Sequence, residues 1–139
     1  MEFFKDPFHL AMAASALISG TMLLISLFQR RGDEVSPNQA TLMLNREDAL
    51  LIDVREPPEF FSGHIAGSRN IPLPKLAERL AELNEFKERS LLVVCASGGR
   101  SATAQKTLTA AGFGKVKNLA GGVSAWQQAS LPLTKKGQK

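Results

Sequence analysis

The sequence predicts a small α/β domain, a mostly parallel central sheet with helices on both faces, preceded by one transmembrane helix. Three observations carry that expectation. Two short apolar runs, Ala49–Val54 and Leu91–Val94, read as strands buried on both sides. Leucines at 73, 76, 80 and 83 recur between them at helical spacing, and strand-like and helix-like stretches alternate to the end of the chain, the order that gives parallel sheets. Finally, residues 8–28 read FHLAMAASALISGTMLLISLF, with no formal charge while His9 is neutral. At 139 residues the chain has room for one domain beside that segment.

The segment from Phe8 to Phe28 would make a helix about 31 Å long at about 1.5 Å per residue, matching a hydrocarbon core of about 30 Å. A secretory signal has a shorter apolar region, about 7–15 residues behind a positive start. Met1–Asp6 instead carries Glu2 and Asp6 against Lys5, so residues 8–28 read as an uncleaved anchor behind a tail at 1–7. Arg30 and Arg31 follow the span while Lys5 alone precedes it, which puts the C-terminal domain on the cytoplasmic side. Gly20 has no G-x-x-x-G partner, so the span reads as a simple tether.

Residues 29–35, QRRGDEV, suit a juxtamembrane linker. Ser36-Pro37-Asn38-Gln39 has capping-box spacing with proline at the first helical position, predicting a helix from Pro37 to about Leu44. After the two strands and the leucine-rich segment between them, a helix is expected from Ser101 to about Ala111 and a weaker strand over Lys115–Leu119. Gly121-Gly122 reads as the turn before a last helix, with Trp126, Leu131 and Leu133 as core. The domain is thus expected over 36–133, with a basic tail at 134–139.

The composition, 44% hydrophobic and 22% charged, is that of a globular chain. The net charge of +4 owes much to Lys135, Lys136 and Lys139 at the terminus, and with no recognised binding motif no nucleic-acid partner is expected. The single cysteine, Cys95, can form neither an internal disulfide nor a thiolate metal site. His9 lies near the membrane interface, and His64 reads as a structural, hydrogen-bonded residue, so no metal and no cofactor is expected.

Cys95 stands where a buried strand ends and the loop Ala96-Ser97-Gly98-Gly99-Arg100 leads into a helix at Ser101. Ligands in open α/β sheets gather at the carboxyl ends of strands. Gly98 and Gly99 permit a curl with backbone N–H groups pointing inward. The helix N-terminus and Arg100 add positive potential, and such surroundings lower a cysteine pKa. Asp53 ends the other strand, with Arg55, Glu56 and Glu59 following. The favoured reading is a salt-bridged turn locking that corner; the alternative has Asp53 orienting the Arg100 guanidinium toward a bound anion.

The loop from Cys95 to Ser101 resembles the active-site loop of rhodanese-like domains. LIDVREPPEFFSGHIAGSRNIP (Leu51–Pro72) is similar to that family's first signature, and Asn118-Leu119-Ala120-Gly121-Gly122-Val123-Ser124-Ala125-Trp126 to its closing one. The resemblance covers about Pro37 to Pro132 and implies the rhodanese-like fold. It implies a cysteine that takes a sulfane sulfur as a persulfide and yields it to a nucleophile. Carried over, Cys95 would be the nucleophile. Arg100 and the backbone of Ala96, Ser97, Gly98, Gly99 and Ser101 would hold the anionic sulfur. Six residues from Cys95 to Arg100 are the length the family uses for sulfur transfer, whereas its phosphatase relatives carry one more.

One departure from the family pattern and the lone cysteine shape the expectation. Ala96 and Ser97 are neutral where many thiosulfate-using members carry a basic side chain, which makes thiosulfate a poor donor. With no second cysteine, the sulfur must leave to an external thiol or protein. The leading reading is a membrane-anchored sulfurtransferase or persulfide carrier with a small sulfane-sulfur donor and a thiol or protein acceptor. The alternative is a non-catalytic rhodanese-like module that binds a partner protein at the membrane.

Overall fold

The computed structural model describes residues 6–136, without the side chains of 26–32. The expected tail at 1–7 and the basic tail at 134–139 fall partly outside the described residues. Two compact units form, one ending at Asp33 and one beginning at Glu34.

The first unit is helix α1, Pro7–Asp33. From Pro7 to Ile25 it is long and apolar enough to cross a membrane, a property that signal sequences share. Phe8, Leu17, Met22 and Leu23 are exposed along it. Its hydroxyls turn back on their own helix: Ser15 Oγ donates to the Met12 carbonyl at 2.8 Å and Thr21 Oγ1 to the Ile18 carbonyl at 2.9 Å. Such internal bonding lets small polar side chains sit in an apolar helix.

The second unit is built on five parallel strands, β1 (Glu34–Val35), β2 (Leu50–Asp53), β3 (Arg69–Asn70), β4 (Leu91–Val94) and β5 (Val116–Leu119), in spatial order β1-β5-β4-β2-β3. The expected linker thus differs from what forms: residues up to Asp33 continue α1, and Glu34–Val35 pair with Asn118–Leu119. The edge is tied by the Ala120 N–H, which donates to the Val35 carbonyl at 2.9 Å. Two residues are too few for a periodicity to announce a strand.

Alternation along the two central strands sorts the core into two layers. Leu50, Ile52, Leu91, Val93 and Cys95 face one side with Leu76, Leu83, Leu108 and Phe113. Leu51, Leu92 and Val94 face the other with Ala40, Leu119 and Trp126. The first layer is covered by α4 (Leu73–Leu76), a 3-10 stretch (Leu80–Phe86) and α5 (Gly99–Ala110), and the second by α2 (Pro37–Arg46) and α6 (Gly122–Gln128).

Helix α2 starts with the anticipated capping box: the Gln39 N–H donates to Ser36 Oγ at 3.2 Å and the Ser36 N–H to Gln39 Oε1 at 2.9 Å. The leucine-rich segment does not form one helix. Leu76 and Leu83 are fully buried, but the chain breaks at Arg79, whose side chain reaches the Asn70 carbonyl at 3.4 Å and pairs with Glu82.

Candidate active site

Cys95 follows β4, the middle strand of the sheet, and is 1% exposed. Three local features place its sulfur. Gly98 adopts φ +110°, a conformation glycine reaches without a Cβ penalty, and its N–H donates to Cys95 Sγ at 2.9 Å. Helix α5 opens at Gly99, so its first turn faces the sulfur. Ser101, in that turn and fully buried, brings Oγ to 3.3 Å from Sγ.

Burial pushes the Cys95 thiol up, but the Ser101 hydroxyl and the backbone N–H groups of Ser101, Gly98 and Ser97 outweigh it and hold its pKa below the ordinary value. Donors around the sulfur favour the thiolate, the nucleophilic form of cysteine. The cradle is built mainly of hydrogen bonds; the Arg100 charge, expected to act beside the helix N-terminus, is paired with a carboxylate.

Arg100 forms a two-pronged ion pair with Glu59 of α3 (Pro57–Ser62): Nη1 donates to Oε1 at 2.7 Å and Nη2 to Oε2 at 2.8 Å. Those hydrogen bonds lead the causes that draw the Glu59 carboxyl down from 4.5 to about 2, so it is ionised at any working pH. The same bonds raise the Arg100 pKa, with weaker through-space attraction from Glu59, Cys95 and Asp53.

Asp53 serves the other purpose weighed from sequence. Its carboxylate takes the Arg55 N–H and Nε at 3.0 Å on Oδ1 and the Arg55 Nη2 at 2.8 Å on Oδ2, and Arg55 reaches on to the Gly63 carbonyl at 2.8 Å. That buried pair locks the corner after β2, and the carboxylate that holds Arg100 is Glu59, not Asp53. The reason is reach: the short Asp53 side chain closes on the backbone two residues ahead, while Glu59 rises from the first turn of α3.

His64 stays apart from the sulfur. Its Nδ1 meets the Phe60 carbonyl at 2.8 Å, and its ring stacks on Phe60 at 3.8 Å. Trp126 is buried, with Nε1 donating to the Pro132 carbonyl at 2.9 Å.

Two contributors escaped the sequence reading. Asn118, buried in β5, brings Oδ1 to 2.6 Å from Ser101 Oγ, whose single proton is shared between that oxygen and the Cys95 sulfur, and donates from Nδ2 to the Gly98 carbonyl at 3.3 Å, so it positions both ends of the cradle. An asparagine between Lys117 and Leu119 in a short strand was the only signal available. Gly122, at φ +60°, touches the loop from below. A Cβ there would fall directly on the Cys95 carbonyl oxygen and 2.8 Å from the Ala96 carbonyl carbon. The same approach lets the Val123 N–H reach the Cys95 carbonyl at 2.8 Å and the Ser124 N–H the Ala96 carbonyl at 3.1 Å.

Comparison with known proteins gives a consistent picture. The family model described as "Rhodanese-like domain" matches residues 36–129. The protein YibN of Escherichia coli is 37% identical over 102 residues, 73% of this chain and 71% of that one. A protein named sulfurtransferase from Allochromatium vinosum is 36% identical over 91 residues, 66% of this chain and 83% of its own. A crystal structure of a rhodanese-related protein from Thermoplasma volcanium superposes with a TM-score of 0.65 at 32% identity, over 74% of this chain and 98% of that one.

Proposed function

The chain belongs to the rhodanese-like domain family, and from that premise we propose that it is a membrane-anchored sulfurtransferase or persulfide carrier working through Cys95. The observation that carries this reading is the sulfur itself, ringed by the Gly98 N–H and the Ser101 hydroxyl at the carboxyl end of the central strand. The sulfurtransferase name of the Allochromatium relative supports the same chemistry.

The thiolate attacks the outer sulfur of a donor. A new S–S bond forms at Cys95 as the donor's own S–S bond breaks, and the bonding pair departs with the leaving group. With thiosulfate the products are the Cys95 persulfide anion and sulfite. With a protonated persulfide they are the Cys95 persulfide, which keeps the donor's proton, and a thiolate. An external thiol or protein nucleophile then removes the outer sulfur and restores the Cys95 thiolate. Ala96, Ser97, Gly98, Gly99 and Ser101 hold the transferred sulfur through their backbone. Helix α1 anchors the chain, with the domain on the cytoplasmic face.

The test is intact mass of the full chain in detergent micelles after incubation with thiosulfate and, separately, with glutathione persulfide. The expected result is a gain of one sulfur atom that cyanide removes and Cys95→Ser lacks. No adduct with either donor, on folded and reduced protein, overturns the reading and leaves a partner-binding module in its place.

A further inference from the structure

The corner between β2 and the cysteine loop gathers four charges that cancel in pairs. Arg55 is taken by Asp53, and Arg100, the only cationic side chain between Cys95 and Ser101, is taken by both oxygens of Glu59. The Arg100 guanidinium still has N–H groups to offer, because end-on pairing uses one from each terminal nitrogen. It can orient an anion but brings no net positive charge.

That balance weighs differently on different donors. Thiosulfate arrives as a dianion at a thiolate and leaves as dianionic sulfite, so three negative charges share the site throughout the transfer. A protonated persulfide group brings none at its reacting sulfurs, and its leaving sulfur carries one.

We propose that Glu59 sets donor preference: by neutralising the one cation of the loop it turns Cys95 away from thiosulfate and toward persulfides, whose leaving group is a singly charged thiolate. This inference rests on the sulfurtransferase reading above. Glu59 acts through Arg100 and is a positioning and charge-compensating residue.

Glu59→Gln removes the charge and keeps one of the two prongs that hold Arg100. A glutamine oxygen in the Oε1 position still accepts from Arg100 Nη1 and from the Glu56 N–H, which Glu59 Oε1 receives at 3.2 Å; the prong from Nη2 to Oε2 is lost, and the guanidinium charge is no longer cancelled. The experiment measures kcat/KM of the full chain in detergent with thiosulfate and with glutathione persulfide, for wild type, Glu59→Gln and Glu59→Gln/Arg100→Met.

Wild type is expected to prefer the persulfide. Glu59→Gln is expected to raise the thiosulfate-to-persulfide ratio of kcat/KM about tenfold, equal to about 1.4 kcal/mol in the relative barrier. The added Arg100→Met change should abolish that rise. A wild type that prefers thiosulfate, a ratio unmoved by Glu59→Gln, or an equal fall with both donors overturns the inference while sulfur transfer stands. Transfer from neither donor to wild type overturns the sulfurtransferase reading itself.

Discussion

Two arginine–carboxylate pairs lie one after the other along the chain and near one another in space, yet they do different work. In the Asp53–Arg55 pair the aspartate side chain is fully buried and the arginine 6% exposed; in the Glu59–Arg100 pair both side chains are more than a third exposed. The buried pair is surrounded by its own backbone, taking the Arg55 N–H and giving to the Gly63 carbonyl. The exposed pair bridges α3 and α5 near the cysteine loop, with the Glu56 N–H as a further donor to Glu59. Burial makes the first pair a structural lock that is costly to break, whereas solvent makes the second cheap in stability and leaves its charge balance available to tune chemistry.

The contrast can be broken most severely at the buried pair. Asp53→Ala strands the Arg55 charge in the interior, and a loss of about 3–5 kcal/mol in unfolding free energy is expected by chemical denaturation. If Asp53→Ala instead unfolds like wild type but alters donor preference, the two pairs have been assigned the wrong way round.

Gly122→Ala asks whether the cradle has a third support besides the ion pairs. The new methyl would meet the Cys95 carbonyl at a positive φ, so a loss of about 2–3 kcal/mol is expected, with a slower reaction of Cys95 toward iodoacetamide. Ser101→Ala should barely affect either pair but removes a donor to the thiolate. The midpoint of the alkylation rate against pH is expected to move up toward the ordinary thiol value, because the thiol form gains when the anion loses a hydrogen bond.

The smallest expected stability effect belongs to Glu59→Gln, within about 1 kcal/mol of wild type. The Glu59 carboxyl is depressed on folding from 4.5 to about 2, so its contribution is complete above about 4.5 and is lost as pH falls toward about 2. Acid unfolding followed by tryptophan fluorescence should show wild type and Glu59→Gln converging across that window. A gap that persists at the acid end would place the effect of Glu59 in packing rather than charge.

What could be read in the sequence was local. The apolar runs ending at Asp53 and Val94, the Ser36–Gln39 cap and the glycine-bearing loop after Cys95 each declare themselves within a few residues, and each forms where expected. Arg100 was visible as a charge, but its partner lies 41 positions upstream, a separation no spacing rule encodes, whereas Asp53 and Arg55 lie two apart and suggested their own pairing. Strands β1 and β3, two residues each, are too short to carry a pattern, and their pairing is decided by the neighbouring strand. Asn118 shows the same limit in the site: its polarity was visible, but its service to Ser101 and Gly98 requires the sheet to be assembled first.

The contact beneath the loop also matters to anyone who would redesign this domain. The ring around the sulfur is clamped from outside: Val123 and Ser124 bind the carbonyls of Cys95 and Ala96, and Gly122 leaves no space for the backbone to sink. Inserting a residue to widen the ring for a bulkier anion would push those carbonyls off their donors or lift α6 from its seat. The circumference of the ring around the sulfur is therefore inherited from the start of a helix more than twenty residues downstream, and an engineer seeking a wider ring would have to rebuild that helix start before touching the loop.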